Sequence, residues 1–208
     1  MTTLTTHQIY DLLNRPHPLW LVRIDLSDAN LWWADLSECN LSWANLSRAD
    51  LNWANMMNTN LTKATLNMAN LFEAHMAMAN LSEANLTRAN LTRAELVKAD
   101  LSRCILVEAN LARAYISKAK LVKANLNGAS LARADLSKSD LSGANLSGAD
   151  LYMANLFEAN LKQANLKGAN LTRADLTGAN LAEADLTDAQ LEGADLTDAI
   201  MPDYTKNV

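Results

Sequence analysis

The sequence predicts an all-β solenoid, a narrow rod wound from one short word repeated along the chain. Three observations carry the prediction. The word Ala-Asp/Asn-Leu-x-x recurs with a period of five from Leu21 to Met201 without a slip in register. The Leu position, and the position two before it, admit almost only apolar or small residues. All six glycines fall two residues after a Leu position.

Composition agrees with a narrow interior. Half of the 208 residues are apolar, but aromatics make up only 5%, so Leu and Ala must fill the core. The net charge of −5 is too mild for a general nucleic-acid binder or a strong polyanion mimic. Cys39 and Cys104 both stand where the word has Ala. They read as small core residues, not as a disulfide pair or metal ligands. No basic-plus-apolar leader opens the sequence, and no apolar run approaches about 18 residues. The expected setting is soluble, reducing and cytoplasmic.

Residues 1–20 precede the clean repeat and are expected to form an N-terminal cap. Thr5 and Gln8 have the spacing of a capping box. Ile9, Leu12 and Leu13 follow at helical spacing. Pro16 and Pro18 stop a helix near Asn14. The expectation is a short capping helix over about residues 6–14, its apolar face covering the open end of the strand stack. His7 and His17 read as exposed cap residues.

Residues 21–201 are the repeat, 37 words centred on the Leu position. Met56, Met76, Ile116 and Met201 replace Leu at the centre. Leu19, Ile24, Cys39, Thr59, Cys104 and Ser139 replace Ala. Centre and Ala are two apart, which is the same-face spacing of a strand. The next Ala lies three residues on, where a straight strand would point it outward. The chain must therefore turn in every word. A helix fails the same test, because steps of five drift around a 3.6-residue turn.

The turn is expected to be type II, running from the centre to the next Ala. Its second corner requires φ > 0, which Gly accepts and β-branched residues resist. No Val, Ile or Thr occupies that corner in any word. Arg, Lys, Glu and Trp are frequent there, so some words are expected to use type I turns instead. Asp or Asn before the centre is expected to bond nearby backbone and brace the turn. His75, Tyr115 and Ile200 depart from that pattern and read as local irregularities. The period does not set the number of words per coil.

In tandem, these words resemble the pentapeptide-repeat family, and cyanobacterial members above all; the short N-terminal helix and the segment Met201-Pro202-Asp203-Tyr204, where the repeat passes into a tail over residues 202–208, fit the same likeness. The resemblance implies a right-handed quadrilateral parallel β-helix with four words, or 20 residues, per coil. About nine coils would then give a rod roughly 43 Å long.

With four words per coil, residues 20 apart stack on one outer side. Trp33 would lie on Trp53, with Trp32 beside it and Trp43 on the opposite side. Arg93, Arg113 and Arg133 would form one column, with Arg173 beyond, and Lys98, Lys118 and Lys138 the next. A three-word coil would instead align Arg88, Arg103, Lys118 and Arg133. Charge is uneven: residues 86–140 hold ten Lys/Arg and five Asp/Glu, while residues 171–208 hold two and eight. Some of the arginines are expected to pair with Glu108, Asp100 and Asp135. The candidate interaction surface is therefore Trp33 and Trp53 with the Arg and Lys columns.

No nucleophile with a His base, phosphate loop or metal-ligand cluster is evident. The sequence reads as non-enzymatic and cofactor-free. The expected function is a rigid rod binding a protein partner, with regulation by protein contact implied by the resemblance. The first alternative is a DNA-mimicking topoisomerase (gyrase) binder of the quinolone-resistance type. That branch resembles this chain less, because it favours Phe centres and an acidic surface. The second alternative is nucleic-acid binding through the Arg/Lys columns. An open C-terminal strand edge would permit an end-to-end dimer. Pro202 and the acidic cluster Asp188, Asp195, Asp198 and Asp203 favour a monomer.

Overall fold

A computed structural model describes residues 5–15 and 18–205. Pro16 and His17, and the last residues of the tail, lie outside the described residues. Helix α1 spans Thr6–Leu13. Thr5 is its N-cap, accepting from the Gln8 N–H while the Gln8 side chain accepts from the Thr5 N–H. Ile9 is buried in the same apolar cluster as the repeat core, and Leu12 packs against it.

Beyond the helix the chain winds as a parallel β-solenoid. Each Asx position bridges in parallel to the position 20 residues later, from Trp20↔Asn40 to Asn180↔Ile200. Four words therefore close one coil, and the three-word alignment is excluded. Arg88, Arg103, Lys118 and Arg133 belong to four different columns of the 20-residue register.

The ladder uses the backbone of every word between the end coils in the same way. The Leu111 N–H donates to the Ser130 carbonyl in the next coil at 2.7 Å. The Asn110 N–H donates to the Ala89 carbonyl in the coil before at 2.9 Å. A third bond closes the turn within the word, from the Ala114 N–H to the Leu111 carbonyl at 3.0 Å. Repeated words satisfy the buried backbone without long strands.

Centres and Ala positions point inward as expected. From Leu36 to Leu181 every centre has 0% exposure, giving a core of interleaved Leu and Ala. The two polar intruders are also buried and satisfied. Thr59 Oγ1 donates to the Leu36 carbonyl at 2.7 Å, and Ser139 Oγ to the Leu136 carbonyl at 2.6 Å. Both hydroxyls meet the hydrogen-bonding demand that burial imposes.

The expected mixture of turn types does not occur. Every second corner from Arg23 to Asp198 has positive φ, whether or not it is glycine: Arg113 stands at 59°, Trp53 at 58° and Gly148 at 64°. No first corner does, so these words turn in the type II manner. The reason is cooperative. A type I word would rotate its peptide out of the ladder, costing bonds to both neighbouring coils. That outweighs the strain of about 1–2 kcal/mol that a non-glycine residue suffers in the left-handed region. Space does not explain Gly148 or Gly168, where a Cβ would meet nothing within 4 Å.

Asp and Asn brace the turns as expected. Asp135 Oδ1 accepts from the Ser137 N–H at 3.0 Å. At several positions where Asn follows one coil later, its Nδ2 also reaches back, as from Asn160 to Asp140 Oδ1 at 2.9 Å. The Asx position thus serves both its own turn and the stack.

Candidate interaction surface

The 20-residue coil puts Trp33 on Trp53, their planes 5° apart and their centroids 5.1 Å apart. Trp32 tilts against Trp33 at 6.4 Å, and Phe72 meets Trp53 edge-on at 6.3 Å. Trp33 remains 60% exposed. Trp43 lies in the column two words away, with the Arg23 guanidinium 5.6 Å and the Lys63 ammonium 4.8 Å from its ring centroid.

Below Trp53 the same column continues through Glu73 to Arg93, Arg113 and Arg133. All three arginines are exposed, but they are not equivalent. Arg93 pairs with Glu73 at 2.8 Å. Arg113 and Arg133 have no ion pair among the described residues. Asp100 and Asp135, expected partners for arginines, are turned to the Ser102 and Ser137 N–H groups instead. Glu108 does form its pair, with Arg88 at 2.7 Å.

Lys98, Lys118 and Lys138 make the next column, and all are exposed. Lys138 meets Glu158 at 3.5 Å and lies 5.6 Å from the centroid of the Phe157 ring. Lys98 and Lys118 have no ion pair among the described residues.

Sequence reasoning missed one element. His75, Glu95 and Tyr115 replace Asx in three successive coils of one column. None makes the turn-bracing bond found in most words. Glu95 and Tyr115 project from one side of the coil and His75 is half-buried; His75 Nδ1 and Glu95 Oε2 are 2.9 Å apart. With Trp53, Arg93 and Arg113 they line a shallow corner groove of about 450 Å³. The signal was present at a spacing of 20, but scattered departures become a site only once the coil length is known.

The two thiols offer no chemistry here. Both are buried, and burial pushes Cys104 up to about 12. Among the described residues no group of three or more His, Cys, Asp or Glu could hold a metal ion. Among the same residues no helix is long and apolar enough to cross a membrane.

Comparison with known proteins agrees with the coil. The family of pentapeptide repeats matches in 8 copies over residues 24–62, 69–107, 94–131, 109–148, 124–163 and 164–201. HetL is a pentapeptide repeat protein involved in heterocyst differentiation regulation, from the cyanobacterium Nostoc sp. strain PCC 7120. It is similar over 100% of both chains, with 33% identity and a TM-score of 0.51. QnrB1, a plasmid-mediated fluoroquinolone resistance protein, is similar over 85% of this chain and 90% of its own, with 18% identity and a TM-score of 0.66. At that identity the likeness to QnrB1 is one of fold. A comparison with curated proteins found no match. The chain belongs to the pentapeptide-repeat family, whose members fold as right-handed quadrilateral β-helices.

Proposed function

We propose that this protein is a non-enzymatic rod of about nine coils, residues 21–201, that binds a protein partner and acts by contact. Residues 1–20, with α1, cover its N-terminal end, and residues 202–208 are a short tail. The observation that carries the reading is the stack of exposed Trp33 on half-buried Trp53, beside a shallow groove that Trp53 helps to line. Tryptophan is enriched at binding hot spots because it gives large apolar contact for little ordering entropy. A rigid ladder keeps the surface formed before the partner arrives, which lowers the cost of association. The 33% identity with HetL supports a regulatory role. The cytoplasm suits the buried thiols.

A topoisomerase-directed DNA mimic is less well supported. Such a surface needs acidic columns, and this one carries Arg113, Arg133, Lys98 and Lys118 at its middle.

The test is a pull-down from native extract with the wild type and the Trp33→Ala/Trp53→Ala variant. The expected result is at least one protein retained by the wild type and lost by the variant. Retention of every captured protein by both would remove the aromatic face from consideration.

A further inference from the structure

The Arg and Lys columns border one side of the rod. That side is built from the words Ala94–Lys98, Ala114–Lys118 and Ala134–Lys138, stacked through Glu95↔Tyr115 and Tyr115↔Asp135. The Arg column ends the preceding words at one edge, and the Lys column closes the other. Four of these cations, Arg113, Arg133, Lys98 and Lys118, have no ion pair among the described residues. Neighbours in a column are one strand spacing apart, about 4.8 Å. Like charges so placed repel one another, and no carboxylate among the described residues pairs with these four. Tyr115, 53% exposed, stands between the rails. At its other end the Arg rail runs to Arg93, paired with Glu73, and Trp53 follows one coil beyond Glu73 in the same groove.

We infer that this side holds an extended acidic segment of a partner protein, running along the rod axis. An aromatic or apolar side chain of the segment lies against Trp53. Its carboxylates sit between Arg113 and Arg133, within reach of Lys118 and the Tyr115 hydroxyl. Trp53 and Arg113 are three coils apart, about 14 Å along the axis, which an extended chain spans in about four residues. The segment therefore carries its first acid four positions after its aromatic residue. Bidentate Arg–carboxylate contacts give this arrangement its orientation.

A protein segment fits better than nucleic acid for two reasons. Glu95 and Asp135 lie between the rails and can accept a peptide N–H, whereas a phosphodiester backbone offers them no donor. Four unpaired cations also release few counterions, and the chain as a whole carries −5.

The inference rests on the protein-binding reading of the rod, and its test is separate. Fluorescence anisotropy would follow a dye-labelled probe, acetyl-Trp-Gly-Ser-Gly-Glu-Glu-amide, at low ionic strength. Wild type is expected to bind it saturably. Arg113→Glu/Arg133→Glu should weaken binding by about tenfold or more, and Trp53→Ala by about threefold or more. Arg103→Glu, on another side of the rod, should change it by less than about twofold. A probe with Glu directly after Trp should bind about threefold more weakly, having lost the register. The inference fails if wild type does not bind the probe, if Arg103→Glu weakens it as much as the double variant, or if the two probes bind alike. It also fails if oligothymidylate binds more tightly than the peptide and loses to the same substitutions. A partner that is captured and released by Trp33→Ala/Trp53→Ala, while the probe does not bind, would leave the protein-binding function standing and remove only this inference.

Discussion

Asn45 reaches one coil back and donates through Nδ2 to Asp25 Oδ1 at 2.9 Å. The same oxygen accepts from the Ser27 hydroxyl at 2.7 Å and the Ser27 N–H at 3.1 Å. One carboxylate oxygen thus ties a turn to itself and to its neighbour.

That arrangement predicts an acid limit to stability. The bonds from the Ser27 side chain and backbone, aided by Asn45, hold the Asp25 carboxyl below its ordinary range. Thr187, Thr197 and Thr205 do the same for Asp185, Asp195 and Asp203. A depressed folded-state value means the stabilisation is complete above the unfolded value of about 4 and is lost as pH falls through the lower folded value. Thermal melts followed by circular dichroism should therefore be flat from neutral pH to about 4 and fall below it. Asp25→Asn keeps an acceptor for Ser27 but removes the titration, so it should lose less on acidification. A wild-type melt unchanged at about pH 2 would contradict the account.

The left-handed corners predict an order of substitutions. Met68 sits at φ 57° and is half exposed, so backbone strain should dominate. Met68→Gly relieves the strain at some cost in unfolded-chain entropy and should be neutral or stabilising by up to about 1 kcal/mol. Met68→Val should destabilise by about 1–2 kcal/mol, because a β-branched residue resists that region. Urea midpoints would check the order Gly, Met, Val; Val equal to Met would show that the corner had rearranged.

Position along the rod predicts the cost of a core truncation. Leu111 is fully buried, with coils on both sides, whereas Leu186 in the last coil is partly exposed. Leu111→Ala should cost about 3 kcal/mol and Leu186→Ala less than half of that. Equal losses in denaturant titration would mean that the last coil is covered on both faces.

Cys104 should be inert while the rod is folded. Its thiol is buried and pushed up to about 12, which leaves little thiolate to react at mildly alkaline pH. Iodoacetamide labelling read by mass spectrometry should be slower than that of a free cysteine by about a thousandfold. Labelling should become prompt in concentrated guanidinium. Prompt labelling without denaturant would show that the middle coils open locally.

Much of this molecule was legible in five residues. The inward Leu and Ala, the turn in every word and the bracing Asx all follow from local sterics and hydrogen bonding, and Leu111, Ala114 and Asp135 behave as their word positions require. The turn type was legible only in part. Gly148 announces a left-handed corner, but Arg113 and Trp53 adopt the same φ because the ladder above and below compels them.

The tertiary structure decided what meets on the outside. Whether Trp33 lies on Trp53, or Arg133 aligns with Arg113 and not with Lys118, depends on how many words close a coil. That number is set by packing Leu against Leu across the interior and by bonds between residues 20 apart, which no five-residue window contains. His75, Glu95 and Tyr115 are separate irregularities along the chain and one groove in space. The sequence by itself determined a solenoid with two variable outward letters. The coil length, a non-local quantity, arranged those letters into columns, and it turned a set of departures from the Asx position into the wall of a candidate site.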